Sequence, residues 1–349
     1  MENTDSKLAG FVASIMDFFS RRPDTSRMSS WTRTIGIALL IAVIVMSVLS
    51  FYWSREPKVF WVNSTDTNGA DVTGYATADA LAQVLTTLLE KPGGFLHNDV
   101  TPPSVFLDNM PNFEYGAVIQ ARDLIKALRN DYARSQSQSM EDPDLAGADP
   151  NLHYQVDKWI LPSAESGYRE GLRLIESYRD RISDTNAQDA QFFARADNLR
   201  EWLIVVEKRL GGMSQALTQS VGRKTLNTDL AGDPSAVSTT PVASDRIKKT
   251  PWHKVDDIFF EARGTAWALV HFLRAAELDF SSVLEDKNAT VSLRQIIREL
   301  EASLEPLSSP IILNGGGYGT FANHSLVMAS YLSRANSAVI NLRELLDKG

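Results

Sequence analysis

The sequence predicts an all-α protein: one N-terminal transmembrane helix followed by a helical-bundle periplasmic domain. Two patterns indicate this class. An apolar run without a charged residue extends from Thr34 to Tyr52. From Ala76 onwards, apolar residues recur at helical spacing, with almost none of the alternation that half-buried strands show. The chain has 349 residues, no cysteine and a formal net charge of −8, so disulfides and thiolate metal sites are excluded.

The predicted membrane anchor is a signal anchor at 34–53. At about 1.5 Å per residue the apolar run reaches about 28 Å, which is enough to cross a hydrocarbon core of about 30 Å. A cleavable signal peptide is the alternative, with Val48 and Ser50 as the small residues before a cleavage site. The length of the leader and of the apolar run favours the anchor.

A cytoplasmic leader at 1–33 precedes the anchor. It contains an amphipathic helical pattern made by Leu8, Phe11, Val12, Ile15 and Phe19, which predicts a membrane-surface helix or a simple lead-in to the anchor. Basic residues beside a spanning helix stay in the cytoplasm. The leader is therefore predicted to be cytoplasmic because of Arg21, Arg22, Arg27 and Arg33.

The rest of the chain divides into a juxtamembrane connection at 54–75, helical region 1 at 76–221, a flexible linker or loop at 222–250, and helical region 2 at 251–349. The two regions form either one bundle or two subdomains. A short strand is possible at Val59–Val62, and an acidic loop of solvated carboxylates is predicted at Glu141–Asn151. Apolar stripes predict helices near 76–91, 114–136, 163–182, 186–213, 252–281, 290–304 and 323–346.

Two loops are the candidate binding surface, because long loops in compact domains are often functional. The first runs from Pro92 to Gly116 and the second, rich in glycine, from Pro310 to His324. The second lacks the βαβ context of a dinucleotide site and the lysine of a P-loop, so a tight turn that lets Tyr318 and Phe321 pack is expected. The candidate residues are Asp108, Asn109, Glu114, Tyr115, Gly317, Tyr318, Gly319, Phe321 and His324.

Two other kinds of site are kept as alternatives. An enzyme would use Asp108 and Glu114 as a paired general acid and base, with His97 nearby. A ligand-binding receptor would have a deep pocket where the two loops meet, lined by Tyr115, Tyr318 and Phe321. No cofactor motif is present, and the five histidines lack the spacing of a zinc site.

Two stretches carry a family resemblance: LDNMPNFEYG at 107–116 and NGGGYGTFANHSLVMASYLSRANSAVINLRELL at 314–346. The chain resembles an uncharacterised family of Gram-negative inner-membrane proteins over nearly its whole length. That resemblance implies a single-pass protein of the bacterial inner membrane with the bulk of the chain in the periplasm. It implies no activity and supplies no catalytic residues.

These observations predict a membrane-anchored periplasmic helical interaction or scaffolding protein of the bacterial cell envelope. The expected partners are the membrane, through the integral anchor, and an envelope protein. Nucleic acid is not expected, because the outer domain is acidic. The alternative is an envelope enzyme or ligand-binding receptor that uses the 92–116 and 310–324 loops.

Overall fold

The computed structural model describes residues 30–65, 70–135, 140–184, 189–226, 245–309 and 311–348. It confirms an all-α fold with an N-terminal apolar helix, α1 (Ser30–Trp53). Within the described residues, the stretch Trp31–Trp53 is the one helix long and apolar enough to cross a membrane. The predicted amphipathic helix of the leader lies outside the described residues.

Residues Tyr52–Gly349 form one compact unit, separate from Met1–Phe51. A short antiparallel hairpin, β1 (Arg223–Leu226) and β2 (Asp245–Lys248), pairs Arg223 with Lys248. A π-helical turn, Leu128–Tyr132, follows α3. The helices of this unit are α2 (Tyr75–Glu90), α3 (Asn109–Ala127), α4 (Pro143–Leu152), α5 (Ala164–Ser183), α6 (Ala196–Thr218), α7 (Val255–Asp279), α8 (Ser281–Asp286), α9 (Thr290–Ser303) and α10 (His324–Asp347).

Four of the predicted helices, now α2, α5, α9 and α10, agree with the structure to within one residue at each end. Two others are displaced. Helix α3 begins at Asn109 rather than 114, because Asp108 accepts a hydrogen bond from the Asn109 N–H and caps the helix. Helix α6 runs from Ala196 to Thr218 rather than over 186–213.

The predicted acidic loop at Glu141–Asn151 is wrong, because most of it is helix α4. Asp142 caps this helix and Pro143 occupies its first turn, an arrangement that favours helix initiation. The carboxylates are not simply solvated either. Arg181 binds Asp142 at 2.7 Å and Asp144 at 2.8 Å, and Arg129 binds Asp149 at 2.8 Å.

The predicted linker at 222–250 is not wholly irregular, since its two ends pair as β1 and β2; its middle lies outside the described residues. The possible strand at Val59–Val62 is also wrong. That segment has no strand partner and instead lies along α7.

Helix α7 is the centre of the unit. Every residue from Ala262 to Leu273 is buried, so the helix is surrounded on all sides over about three turns. The apolar residues at helical spacing from Val255 to Phe280 are all buried, as are those from Leu199 to Leu210 on α6. Both stripes are therefore used in ordinary bundle packing.

Helices α3 and α7 cross closely at two glycines. A Cβ atom on Gly116 would lie 2.0 Å from the Glu261 carbonyl oxygen, and one on Gly264 would lie 1.8 Å from the Phe113 carbonyl oxygen. Neither position has room for a side chain. The crossing thus depends on glycine at both positions.

The segment Glu56–Trp61, which we name the strap, covers another face of α7. Arg263 of α7 binds both carboxylate oxygens of Glu56 at 2.7 Å. Further along, the Trp267 indole N–H donates to the Lys58 carbonyl at 3.3 Å, and Arg274 donates to the Phe60 carbonyl at 3.1 Å. The strap therefore follows α7 in the same direction, from Arg263 towards Arg274.

His271 fixes the strap near its C-terminal end. Its Nε2 atom accepts the Phe60 N–H at 3.0 Å, its Nδ1 atom lies 2.7 Å from the Trp267 carbonyl, and its ring stacks on Phe60 at 3.7 Å. The Nδ1 atom must donate to the carbonyl, so Nε2 is the acceptor and the ring is neutral. Burial lowers the pKa of His271 to about 3, with a smaller contribution from Arg274 in the same direction.

We predict that His271 makes the fold sensitive to acid. An unfolded histidine takes up a proton near pH 6.5, whereas folded His271 does so only near pH 3. Below pH 6.5 its contribution therefore lowers the free energy of unfolding by about 1.4 kcal/mol per pH unit, until the folded pKa is reached. Denaturant titrations of the full chain in detergent at pH 7.5, 6 and 5 measure this.

The informative quantity is the difference in the free energy of unfolding between the wild type and His271→Gln, because the other titrating groups are the same in both proteins. That difference should be constant above pH 7 and should change by the amount above as the pH falls. His253→Gln, at an exposed histidine, is the matched control and should follow the wild type. Equal pH slopes for wild type and His271→Gln would contradict a buried neutral imidazole.

Candidate functional site

The first candidate loop is held by a buried ion pair. Lys91 Nζ lies 2.5 Å from Glu114 Oε1, and both side chains are almost completely buried. The Glu114 carboxylate also accepts the backbone N–H groups of Leu96 and His97, at 2.9 and 2.8 Å. The Lys91 ammonium in turn donates to the Gly94 carbonyl at 2.6 Å. Glu114 therefore fastens residues 91–97 to helix α3.

Burial raises the pKa of Glu114 to about 7, while Lys91 and the two backbone N–H groups oppose this rise. The carboxylate faces donors from three directions. A charged carboxylate suits such surroundings better than a protonated one. These contacts give Glu114 the role of holding the loop in position.

The proposed acid–base pair, Asp108 and Glu114, does not share a common contact in the structure. Asp108 is exposed and caps α3, and it lies near Asp257, whose pKa is raised mainly by burial. His97 is near Glu114 only through its backbone N–H. Its ring instead bonds the Pro111 carbonyl through Nδ1 at 2.8 Å and stacks on Tyr115 at 5.6 Å between ring centres. Burial lowers the pKa of His97.

The glycine-rich loop is a hairpin-like projection, which we name the glycine hairpin (311–323). Its base is an antiparallel bridge between Asn314 and Asn323, with the Gly315 N–H donating to the Ala322 carbonyl at 3.0 Å. A Cβ atom on Gly315 would lie 2.0 Å from the Phe321 carbonyl oxygen, so this position requires glycine. The base is thus closely packed.

Side chains of the base also fix it to the helices. The Asn323 amide donates to Asn314 Oδ1 and to the Gly315 carbonyl, and its oxygen caps α10 at Leu326. The Asn314 amide donates to the Ser220 carbonyl after α6 at 3.1 Å. His324, the first residue of α10, accepts the Leu313 N–H through Nδ1 at 3.1 Å.

The expectation that Tyr318 and Phe321 pack in this turn is wrong. Tyr318 is fully exposed and Phe321 is 72% exposed. The bridge closes the hairpin at Asn314 and Asn323, so the residues between them extend past the base and meet little apolar surface. The glycines at 317 and 319 lie in this same tip; Gly317 has a φ of +84°.

Two cavities adjoin the hairpin base. The larger, which we name the His324 cavity, has a volume of about 360 Å³ and is lined by His324, Phe259, Met328 and Tyr331 together with the segment 305–309. The second, the Asn109 cleft, has about 330 Å³ and joins Asn109 and Trp252 to Ile311 and Asn314. Leu307 and Ser309 line both, so the two cavities are neighbours.

The two candidate loops do meet. The residues at their meeting point are not Tyr115, Tyr318 and Phe321, which the receptor hypothesis had placed there. Asn109 and Asn314 share a cleft. Tyr115 lines a separate groove of about 300 Å³ with Arg209 and Glu261. Tyr318 and Phe321 line none of these three cavities.

Sequence reasoning missed Arg263, which stands at the wall of the His324 cavity. Besides the two bonds to Glu56, it donates to the carbonyls of Ser303, Leu304 and Glu305 at 3.0 to 3.2 Å. All five of its N–H groups are thus used within the protein. Arg263 orders the cavity wall and has no donor left for an anionic ligand.

The His324 cavity offers aromatic and aliphatic side chains with a few hydroxyl and carbonyl groups, which is typical of small-molecule sites. Among the described residues, no group of three or more acidic or histidine side chains could hold a metal ion.

In the described part of the chain, the fold and these surfaces define a helical-bundle protein with one apolar helix ahead of the bundle. The chain belongs to DUF2333, a family described as uncharacterised protein conserved in bacteria, whose model matches residues 25–349. This confirms the resemblance to an uncharacterised bacterial family. No curated protein matches the chain, and no solved structure does.

We predict that Glu114→Gln destabilises the protein strongly. The substitution leaves the Lys91 ammonium buried without its counter-charge, and removal of one partner from a buried pair typically costs about 3–5 kcal/mol. Thermal unfolding of the full chain in detergent, followed by circular dichroism, measures the change.

Asp108→Asn is the matched control. It changes a carboxylate to an amide on the same helix, but at an exposed cap where asparagine serves as well as aspartate. It should unfold within about 0.5 kcal/mol of the wild type. If both variants unfolded at the wild-type temperature, Glu114 would not be holding the 91–97 segment through its charge.

Proposed function

We propose that this protein is a membrane-anchored interaction or scaffolding component of the bacterial cell envelope, with its N-terminus in the cytoplasm and its helical unit in the periplasm. The observation that carries the proposal is the glycine hairpin, which presents Tyr318 and Phe321 to solvent from a base fixed by Asn314 and Asn323. Its expected partner is another envelope protein.

The proposed location and orientation are supported by the apolar helix and its flanking residues. The stretch Trp31–Trp53 has the length and composition of a membrane span, and arginines are concentrated on its N-terminal side. Such a bias favours a cytoplasmic N-terminus. The lack of cysteine in the whole chain suits an oxidising compartment.

The binding role is supported by the form of the hairpin. Aromatic side chains supply most of the energy at many protein interfaces, and a preformed loop loses little conformational entropy on binding. Tyr318 and Phe321 have large apolar areas that the fold leaves unused. The hairpin is therefore suited to insert into a pocket of a partner.

A ligand-binding receptor is the second candidate, and the His324 cavity favours it. Its volume of about 360 Å³ is within the range of small-molecule sites. In that case His324 would offer its Nε2 atom to the ligand, because Nδ1 already accepts a backbone N–H. An envelope enzyme would also use this cavity.

Single-cysteine labelling tests the proposed membrane orientation, since the native chain contains no cysteine. Met140→Cys places a thiol at a position that is 92% exposed, and Ser6→Cys places one in the leader. A membrane-impermeant maleimide should label Met140→Cys in cells with a permeabilised outer membrane. Ser6→Cys should react only after the inner membrane is opened.

The reverse labelling pattern would contradict the orientation. A mature chain whose mass shows that the first 50 or so residues are lost, and which washes off membranes at alkaline pH, would establish the cleaved signal peptide instead. In that case the partner-binding role would need no anchor.

Photocrosslinking in cells tests the partner. A photoreactive phenylalanine analogue replaces Tyr318 or Phe321, and Val291 on α9, which is also strongly exposed, is the control position. Capture of the same envelope protein from both hairpin positions, and not from 291, is the expected result. If the hairpin positions capture nothing beyond what position 291 captures, the hairpin is not the partner site.

A further inference from the structure

One end of the unit carries an unusual apolar tip. Trp159, Ile160 and Leu161 are three consecutive exposed residues in the loop between α4 and α5, and Leu161 is 85% exposed. The neighbouring loop exposes Val100, Val105 and Phe106 as well. Runs of this kind on a soluble surface favour association and are normally avoided unless they bind something.

The loop that bears this tip is held firmly. Arg122 donates to the carbonyls of Leu152 and Tyr154 at 2.7 and 2.6 Å, and the Tyr154 hydroxyl donates to the Pro162 carbonyl at 3.3 Å. The Ala164 N–H donates to the Lys158 carbonyl at 2.8 Å. The base of the loop is therefore ordered, while its apolar residues stay outside the core.

The two loops lie side by side. The Asn98 amide donates to the Lys158 carbonyl at 3.1 Å, and Phe95 meets the ring of Tyr168 edge to face at 5.3 Å. Residues 92–106 and 154–168 thus form one surface, which we name the apolar end.

The apolar end lies where the chain enters the unit. A Cβ atom on Gly93 would lie 2.8 Å from the ring of Trp53, so the first loop is in contact with the last residue of α1. Trp53 ends the apolar stretch that has the composition of a membrane span. If that stretch spans a membrane, Trp53 lies at the water–bilayer boundary, as aromatic residues there do.

We propose that the apolar end of the unit rests on the bilayer, with Trp159, Ile160, Leu161 and Phe106 inserted in the interfacial zone of the lipid. This goes beyond the proposed function and rests only on its anchor, not on the glycine hairpin or on any partner protein. The composition fits, because tryptophan and tyrosine prefer the interface and Lys158 can keep its ammonium group in the headgroup region.

Charge contributes little to this contact. Lys158 and Arg169 are accompanied at the same end by Asp99, Asp157 and Glu165; burial and then Asp99 raise the pKa of Glu165, and Arg169 opposes this rise. These carboxylates remove any net attraction to anionic lipid. Insertion should therefore occur in zwitterionic phosphatidylcholine and should depend on the apolar side chains.

The test uses the full chain in phosphatidylcholine nanodiscs, with single cysteines carrying the fluorophore NBD. Leu161→Cys and Phe106→Cys report on the apolar end, Met140→Cys is the matched exposed control, and Ile44→Cys reports on the middle of α1. Met140 adjoins Glu141, which pairs with Arg129 in the π-helical turn after α3, about 30 Å along the helix from Asn109. Lipids with a nitroxide on the acyl chain quench any NBD that enters the bilayer.

Quenching at positions 161 and 106 by about twofold or more over position 140 is the expected result. If position 44 is quenched while 161 and 106 match 140, the anchor stands and the apolar end does not touch lipid. If position 44 is not quenched either, both the anchor and the contact fail. In each of these two cases the proposal is overturned.

A second variant guards against local disturbance by the label. Ile160→Asp with Leu161→Asp, read out from NBD at Phe106→Cys, should reduce quenching to the level of position 140, because two buried charges oppose insertion. The exposed pair makes no core contact, so the fold should be retained, which circular dichroism checks. Unchanged quenching would show that the 154–168 loop does not hold this end in the lipid.

Discussion

The burial of helix α7 on every side is the constraint on which the rest of the unit depends. A helix with no solvent-facing stripe needs a neighbour on each face. Helix α3 covers one face so closely that Gly116 and Gly264 are required at the crossing. The strap covers another face with a single extended segment, although extended backbone must find partners for its own N–H and C=O groups. Trp267, His271 and Arg274 supply partners from α7.

Buried polar groups recur wherever an irregular segment must be fixed. Arg263 with Glu56 fixes the start of the strap, and Lys91 with Glu114 fixes the loop after α2. Asp279, at the end of α7, accepts the N–H groups of Gly74 and Thr77 and so caps α2, whose own cap residue has no side chain. Burial raises the pKa of Asp279 to about 6. Such groups add little net stability, but unlike apolar contacts they specify one arrangement.

The local sequence pattern was enough to predict most helices. It also contained helix-start signals that the prediction did not use. Asp142 followed by Pro143 is a start signal for a helix, and Leu145, Ala148 and Leu152 at helical spacing are all buried. Asp108 likewise marks the start of α3. The acidic and proline-containing composition hid both signals, because such composition also indicates loops.

The candidate site could be predicted only in part, because its contacts are between residues far apart in the chain. The Phe60 N–H and His271 are separated by 211 residues, and Arg263 and Glu56 by 207. No periodicity pairs such residues, and a histidine one turn from a tryptophan does not reveal what its second nitrogen binds. The exposure of Tyr318 and Phe321 was missed for a related reason: glycine content predicts a turn but not whether the turn lies against the body or extends past it.

The same contacts restrict what a partner of the glycine hairpin can be. Two residues, Ser54 and Arg55, separate Trp53 from Glu56, so the Glu56 Cα lies at most about 11 Å from the Trp53 Cα. Arg263 joins Glu56 to the carbonyls of residues 303–305, and residues 307 and 309 line the cleft that also contains Ile311 and Asn314. The base of the hairpin is thus connected, within the unit, to Glu56 at the start of the strap through a few direct contacts. Within the proposed function, the partner is therefore one that accepts a hairpin whose base is already fixed, through a pocket that fits the two exposed aromatic side chains of Tyr318 and Phe321.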